Sequence, residues 1–256
     1  MGEVADLKKP KGPLTVLSVD LAHSSYQNNG LVALTAVGES IEADLLTIPL
    51  HGSPDPAALA SFLATIATQR GARLIFLDGP QGWRDPSRDV SELRVCERKL
   101  AAPAKTGLPE NVKPATYKPF VVFCIHVFDE LQARGWSRLD SPEDINSTPV
   151  RIAVESFPLA AWRTLKIPSL PAKKKARPND IHARLEDLQR FVSIKTSRDP
   201  SHDELQAIVG GLAGFPDHFE VRAEGVAPSL IGGYWREGFI ISPRAKLPVR
   251  DRSSIP

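Results

Sequence analysis

The sequence is poor in the features that assign a class quickly. Its 256 residues include only two cysteines, Cys96 and Cys124. So few exclude a disulfide framework, and no Cys or His spacing matches a zinc site. Both thiols are expected to be reduced and partly buried. No run reaches the ~18–20 apolar residues that span a bilayer, so no membrane segment is expected. Residues 1–12 are polar, carry Lys8, Lys9 and Lys11, and lack the apolar stretch of a signal peptide. The expectation is a soluble cytoplasmic protein. An excess of charge of one sign is also missing: 32 Lys and Arg face 30 Asp and Glu, a net charge of +2. That excludes coating nucleic acid through bulk charge; any such contact must come from a local basic patch. There is no internal repeat. Gly-Gly at 210–211 and 232–233 match no phosphate-loop spacing, and no Ser-His-Asp or Cys-His pairing stands out.

What is present is a core. Hydrophobic residues make up 42% of the chain, and the length fits one α/β domain with an insertion. Residues 14–19 read as a compact strand, with Thr15, Val16 and Val19 supplying β-branched bulk. Residues 31–37 and 41–50 read as two more, and the short Gly38-Glu39-Ser40 link between them suggests a hairpin. A helix follows, capped by Ser53 or Asp55, with Leu59, Phe62, Leu63 and Ile66 along one face and Gly71 at its end. The near-continuous apolar run 73–77 reads as a strand buried on both faces. Residues 81–118 then lose regular rhythm, with four prolines at 86, 103, 109 and 114. Stretches of that kind are lids or binding segments, with room here for a short helix over 91–100. Further helices are expected over 120–134, 158–165, 180–192 and from 199 to about 212. A fifth strand is expected over 150–154 and a terminal strand or hairpin over 234–242. Residues 1–13 and 244–256 read as loose termini.

Three of the apolar strands finish on an acid: Asp20, Asp78 and Glu155. Burying an unpaired carboxylate costs several kcal/mol, so these belong at a wet sheet edge or on a cation. In open α/β sheets that edge is where ligands bind. Carboxylates on neighbouring strands, ~4.8 Å apart, can converge on Mg²⁺, which takes hard oxygen ligands. Each acid alone also has a structural use, because Asp caps turns and following helices. Asp203 and Glu204 open a helix, where negative charge suits the dipole; alternatively Asp203 faces the strand acids.

The order of short motifs carries a resemblance. Val-Asp-Leu-Ala at 19–22, Leu-Asp-Gly-Pro-Gln-Gly at 77–82 and Val-Glu-Ser-Phe-Pro at 154–158 are followed by lysines at 173–175. Asp-Glu-Leu-Gln-Ala follows at 203–207. The chain resembles a family of uncharacterised proteins predicted to be ribonuclease H-like nucleases, over residues 14–243. The resemblance implies an α/β fold of ribonuclease H-like type: a mixed five-stranded sheet with flanking helices and a long insertion, 81–118, after strand 4. The strand–strand–strand–helix–strand–helix–strand reading agrees with it. It also implies Asp20, Asp78, Glu155 and Asp203 as catalytic residues and as ligands of Mg²⁺ or Mn²⁺. Arg94, Cys96 and Glu97 fall where the family has an arginine followed by a cysteine and an acid, and Arg184 falls on another family arginine. Gln206 departs from a second helix acid, which puts a second ion in doubt. Ser156 stands where the family often has His or Tyr.

The expected activity is therefore metal-dependent hydrolysis of phosphodiesters, with nucleic acid as partner. Lys173, Lys174, Lys175 and Arg177 form the densest basic segment: a solvated loop on its own, a phosphate clamp if beside the acids. His23 and His202 flank acids and can shuttle protons, whereas His126 reads as a packed core residue. Tyr26, Trp83, Tyr117 and Trp235 are candidates either for stacking bases or for packing at loop bases. Two other readings stay open. An actin-like-fold phosphotransferase needs a glycine turn where Leu21-Ala22-His23 follow Asp20. A non-catalytic module would bind a ligand or partner on the same fold.

Overall fold

The computed structural model describes residues 14–88, 92–146 and 150–246. The expectations for 1–13 and for 247–256 lie outside them. Strands β1 (Thr15–Asp20), β2 (Gly30–Val37) and β3 (Ser40–Leu46) form an antiparallel meander. Helix α1 (Pro56–Gln69) follows, its start fixed by Asp55, whose carboxylate accepts the Ala58 N–H at 2.7 Å. Strand β4 (Leu74–Asp78) then returns parallel to β1. Next come α2 (Val95–Lys99), α3 (Lys118–Ala133), the two-residue β5 (Ser137–Arg138) and β6 (Ile152–Ser156), which lies parallel to β4. Helices α4 (Pro158–Thr164) and α5 (Pro178–Gln189), strand β7 (Ser193–Thr196), helix α6 (His202–Gly211) and the hairpin β8 (Phe219–Ile231)–β9 (Tyr234–Ala245) complete the order.

The α/β class stands, and the strand count is corrected. The sheet has nine strands rather than five, in the order β7-β3-β2-β1-β4-β6-β9-β8, with β5 also on β6. β5 is two residues and β7 four, too short to show a period. β8 is an edge strand carrying Glu220, Arg222, Glu224, Gly225 and Pro228, residues that suit an edge and hide a strand from pattern reading. β3 is shorter than expected, and β9 runs on through Pro243 to Ala245.

Alternation along the strands splits the core into two layers. Val16, Leu34, Phe76 and Val154 face Trp162, Leu188, Leu205 and Ile208, on the side of α4, α5 and α6. Leu17, Val19, Ile75, Leu77 and Ala153 face Leu59, Leu63, Val127 and Phe128, on the side of α1 and α3. Each fully buried Val, Leu, Ile or Phe among them contributes roughly 1.5–3 kcal/mol by leaving water. Among the described residues no helix is long and apolar enough to cross a membrane, and both cysteines are free and fully buried.

Helix α6 lies unusually close to the sheet. The Ser18 hydroxyl donates to the Ala207 carbonyl at 2.6 Å. A Cβ on Gly211 would sit 2.7 Å from a Leu34 methyl and 2.8 Å from Ser18 Cβ. At the other end of the helix, a Cβ on Gly30 would lie 2.1 Å from the backbone oxygen of Asp203. Gly30 pairs with Asp20 across β1 and β2. The absence of a side chain there lets the start of α6 rest on the end of β1. Gly30→Ala is expected to cost about 1–3 kcal/mol, as overpacking against backbone does. Denaturant unfolding checks it, and a cost below ~0.5 kcal/mol would mean that this contact is loose.

Candidate active site

Asp20 and Asp78 are register partners at the ends of adjacent parallel strands, and the row continues to Ser156 on β6. Two residues earlier the same row reads Ser18, Phe76 and Val154, and Phe76 and Val154 pack on the α6 side. Period two therefore points Asp20, Asp78 and Ser156 to that side. Asp203, in the first turn of α6, meets them there. One ligand atom from each of Asp20, His202 and Asp203 fits within a mutual 4.8 Å.

The helix start divides its two acids by role. Glu204 caps: its carboxylate accepts the Ser201 N–H at 2.7 Å and pairs with Arg198 at 2.5 Å. Asp203 is left to face the strand acids. Its Oδ1 lies 3.0 Å from His202 Nδ1, and its Oδ2 contacts Lys173 Nζ. The other His202 nitrogen lies 3.0 Å from the Pro171 carbonyl, and Lys173 Nζ also reaches Asn28 Oδ1 at 3.1 Å. Burial acts to raise the Asp203 pKa, but His202 and Lys173 outweigh it and hold the group below the usual carboxylate value.

Asp20 and Asp78 are under opposite stress. Burial, then the charges of Asp78 and Asp203, push Asp20 well above the ordinary value, with Lys173 opposing. Burial also lifts Asp78 to about 7; the Glu155 charge adds to this and the hydrogen bond with Asp20 opposes it. The two carboxyls face each other across adjacent strands, so the protonation of one is linked to that of the other and they titrate as one dyad. The consequence for stability has a definite sign. An acid whose pKa is raised by folding binds its proton more tightly in the native state, so stability falls as pH rises. The metal-free protein is expected to lose melting temperature between pH 4 and pH 7 from this dyad. Calorimetry in chelator checks it, with a fully carboxylate-deleted dyad as the flat reference.

Glu155 is placed differently. Its register partner is Leu77, not Asp78, which puts it on the α1 and α3 side of the sheet. Both its oxygens accept from Arg94, at 2.8 and 2.6 Å, and one also accepts the Gln81 N–H at 3.0 Å. Arg94 in turn holds Glu97 at 3.0 Å, and Thr106 donates to the same Glu97 oxygen. Arg94, Glu97 and Glu155 are 1%, 4% and 2% exposed. Burial raises the Glu155 pKa, with Arg94 opposing. The structure thus sets Asp20 beside Asp203 and, across the strands, beside Asp78, and commits Glu155 to a buried ion pair.

Of the basic segment, Lys173 reaches the cluster, whereas Lys174, Lys175 and Arg177 are exposed. The Arg177 backbone N–H donates to Asp180 at 2.8 Å and starts α5. Ser156 completes the strand-end row through its register with Asp78, a tertiary relation that no local sequence pattern signals. His126 is exposed rather than packed, on the solvent strip between buried Ile125 and Val127. Tyr26 and Trp83 are buried, and Arg138 stacks 4.6 Å over Trp235, so these rings pack. Tyr117 stays 44% exposed. A cavity of about 830 Å³ opens by Leu14, Glu39, Arg190 and Asp217. It lies at the opposite end of β1 from Asp20, about 20 Å away at ~3.3 Å per residue, and holds no comparable acid cluster.

No protein-family model matches the chain, and no curated protein matches it. The family resemblance drawn from its short motifs therefore has no matching family model behind it. Two solved structures are similar at low identity. One is the Thermus thermophilus RuvC structure, with 13% identity, a TM-score of 0.40, and 80% of this chain and 96% of that chain covered. The other is T. thermophilus RuvC in complex with Holliday junction substrate, with 14% identity, a TM-score of 0.36, and 80% and 95% covered.

Proposed function

We propose that this chain is a divalent-metal-dependent phosphodiesterase acting on nucleic acid, with Asp20, Asp78 and Asp203 as the metal-holding acids. The observation that carries the reading is the crowding of acids around Asp20: an Asp203 oxygen lies within 4.8 Å of one of its own on one side, and Asp78 is its register partner on the next strand. Two of the three are driven toward protonation, Asp20 by burial and by the charges of Asp78 and Asp203, Asp78 by burial and by the charge of Glu155, a cost that a bound cation relieves. The donor set fits Mg²⁺ or Mn²⁺: hard carboxylate oxygens from two strand ends and one helix. Asp203 keeps lone pairs free for a cation beside its contacts to His202 and Lys173.

When bound, a divalent cation supplies charge stabilisation at the phosphate and a water of lowered pKa. The chain's own residues do the rest. Asp20 stands between Asp78 and Asp203 and faces both. His202 fixes the Asp203 carboxylate by holding one oxygen. Lys173 balances part of the acidic charge, and the exposed Lys174, Lys175 and Arg177 on the same loop are placed to meet phosphates in a salt-sensitive way. Arg94 keeps Glu155 and the end of β6 in place, so Ser156 holds its register with Asp78.

The test is incubation of end-labelled DNA and RNA strands with Mg²⁺ or Mn²⁺. Cleavage that stops in chelator is expected. Cleavage that persists in chelator contradicts the reading. No cleavage, together with no thermal shift from either metal, favours a binding module instead.

A further inference from the structure

We infer that the cavity beside Asp78 is a pocket for one unpaired nucleobase bearing an amino group. The cavity is about 120 Å³, the share of about four waters at ~30 Å³ each, which admits a single ring system and no more. Asp78 and Ser156, members of the strand-end row, form one wall, so an occupant would sit directly against the acid cluster. Tyr117, Phe120 and Phe157 supply aromatic walls. The rings form a path to it: His23, three residues after Asp20, meets Phe120 edge-on at 6.0 Å, and Phe120 meets Tyr117 edge-on at 5.3 Å. Tyr117 keeps an exposed face that no packing within the described chain accounts for.

Charge decides what enters. Asp78, Glu97 and Glu155 line the cavity against one guanidinium, Arg94. An acid-rich lining repels a phosphate and favours an exocyclic amino group, present on adenine, cytosine and guanine; thymine offers a single N–H set between two carbonyl oxygens that the acids repel. A base stacked in a duplex cannot reach such a recess; it must be single-stranded or extruded. The inference rests on the nuclease reading only for the source of the base.

The test is fluorescence anisotropy of labelled dodecamers with the metal-depleted full chain in chelator, where nothing is cut. Oligo-dA and oligo-dC are expected to bind roughly tenfold tighter than oligo-dT, and Tyr117→Ala to weaken their binding roughly tenfold, the size of one lost stacking contact. Ala104→Trp, at the cavity wall, should remove the preference by filling the cavity, while neither variant changes binding of a blunt hairpin duplex. Equal affinity for the three strands, or a preference that survives Ala104→Trp, overturns the pocket. Base-selective binding with no metal-dependent cleavage overturns the hydrolytic reading and leaves the pocket; cleavage without base selectivity does the reverse.

Discussion

Asp20→Asn is expected to lower metal-dependent cleavage by ~10³-fold or more, the order of losing a main electrostatic contact to a transition state. Asp20 is the acid that both others face: Asp78 shares a hydrogen bond with it, and an Asp203 ligand atom lies within 4.8 Å. An amide keeps the shape and the hydrogen bond but removes the charge that holds a cation. The same change should stabilise the metal-free fold. It deletes a carboxyl that folding drives toward protonation, first by burial and then by its neighbours, so a gain of about 0.5–2 kcal/mol is expected at pH 7. Lost activity with a raised melting temperature separates a functional acid from a structural one. Lost activity with a lowered melting temperature would mean that Asp20 serves the fold.

The second large effect is on stability. Arg94→Leu is expected to cost about 3–5 kcal/mol, because it leaves Glu155 and Glu97 as buried charges without a counter-charge. At roughly 2–4 °C per kcal/mol for a chain of this size, the melting temperature should fall by about 6–20 °C. The triple change Arg94→Leu, Glu97→Gln, Glu155→Leu should recover most of the loss, since removing a whole buried ion network is often close to neutral. Thermal unfolding of both variants in chelator is the measurement. A single variant as stable as the parent would show that water reaches the pair.

Much of the fold was legible because local and tertiary preferences agree. β1, β2 and β4 are short apolar runs, and α1 carries its cap at Asp55 and its buried stripe at Leu59 and Leu63. β8 was not legible, because Gly225, Pro228 and alternating charges argue locally against a strand that only β9 stabilises. The acids show the same division. That β1 and β4 end on a carboxylate can be read directly, whereas β6 runs one residue past Glu155 to Ser156. Which side an acid faces cannot be read, since a one-residue change of register turns a side chain to the other face. Glu155 pairs with Leu77 rather than Asp78, and that single step takes it from the cluster to Arg94. Asp203 was ambiguous for another reason: two acids share one helix turn, and only the contact of Glu204 with Ser201 shows which of them caps.

The most direct measurement is a Mn²⁺ titration of the metal-depleted protein, following the free-ion paramagnetic resonance signal. The parent is expected to take up the ion at pH 7, and Asp20→Asn to lose at least ~10-fold in affinity, the lower end of what disturbing a metal site costs. Uptake by Asp20→Asn equal to the parent's, or no uptake by the parent at all, would contradict a metal site built from Asp20, Asp78 and Asp203.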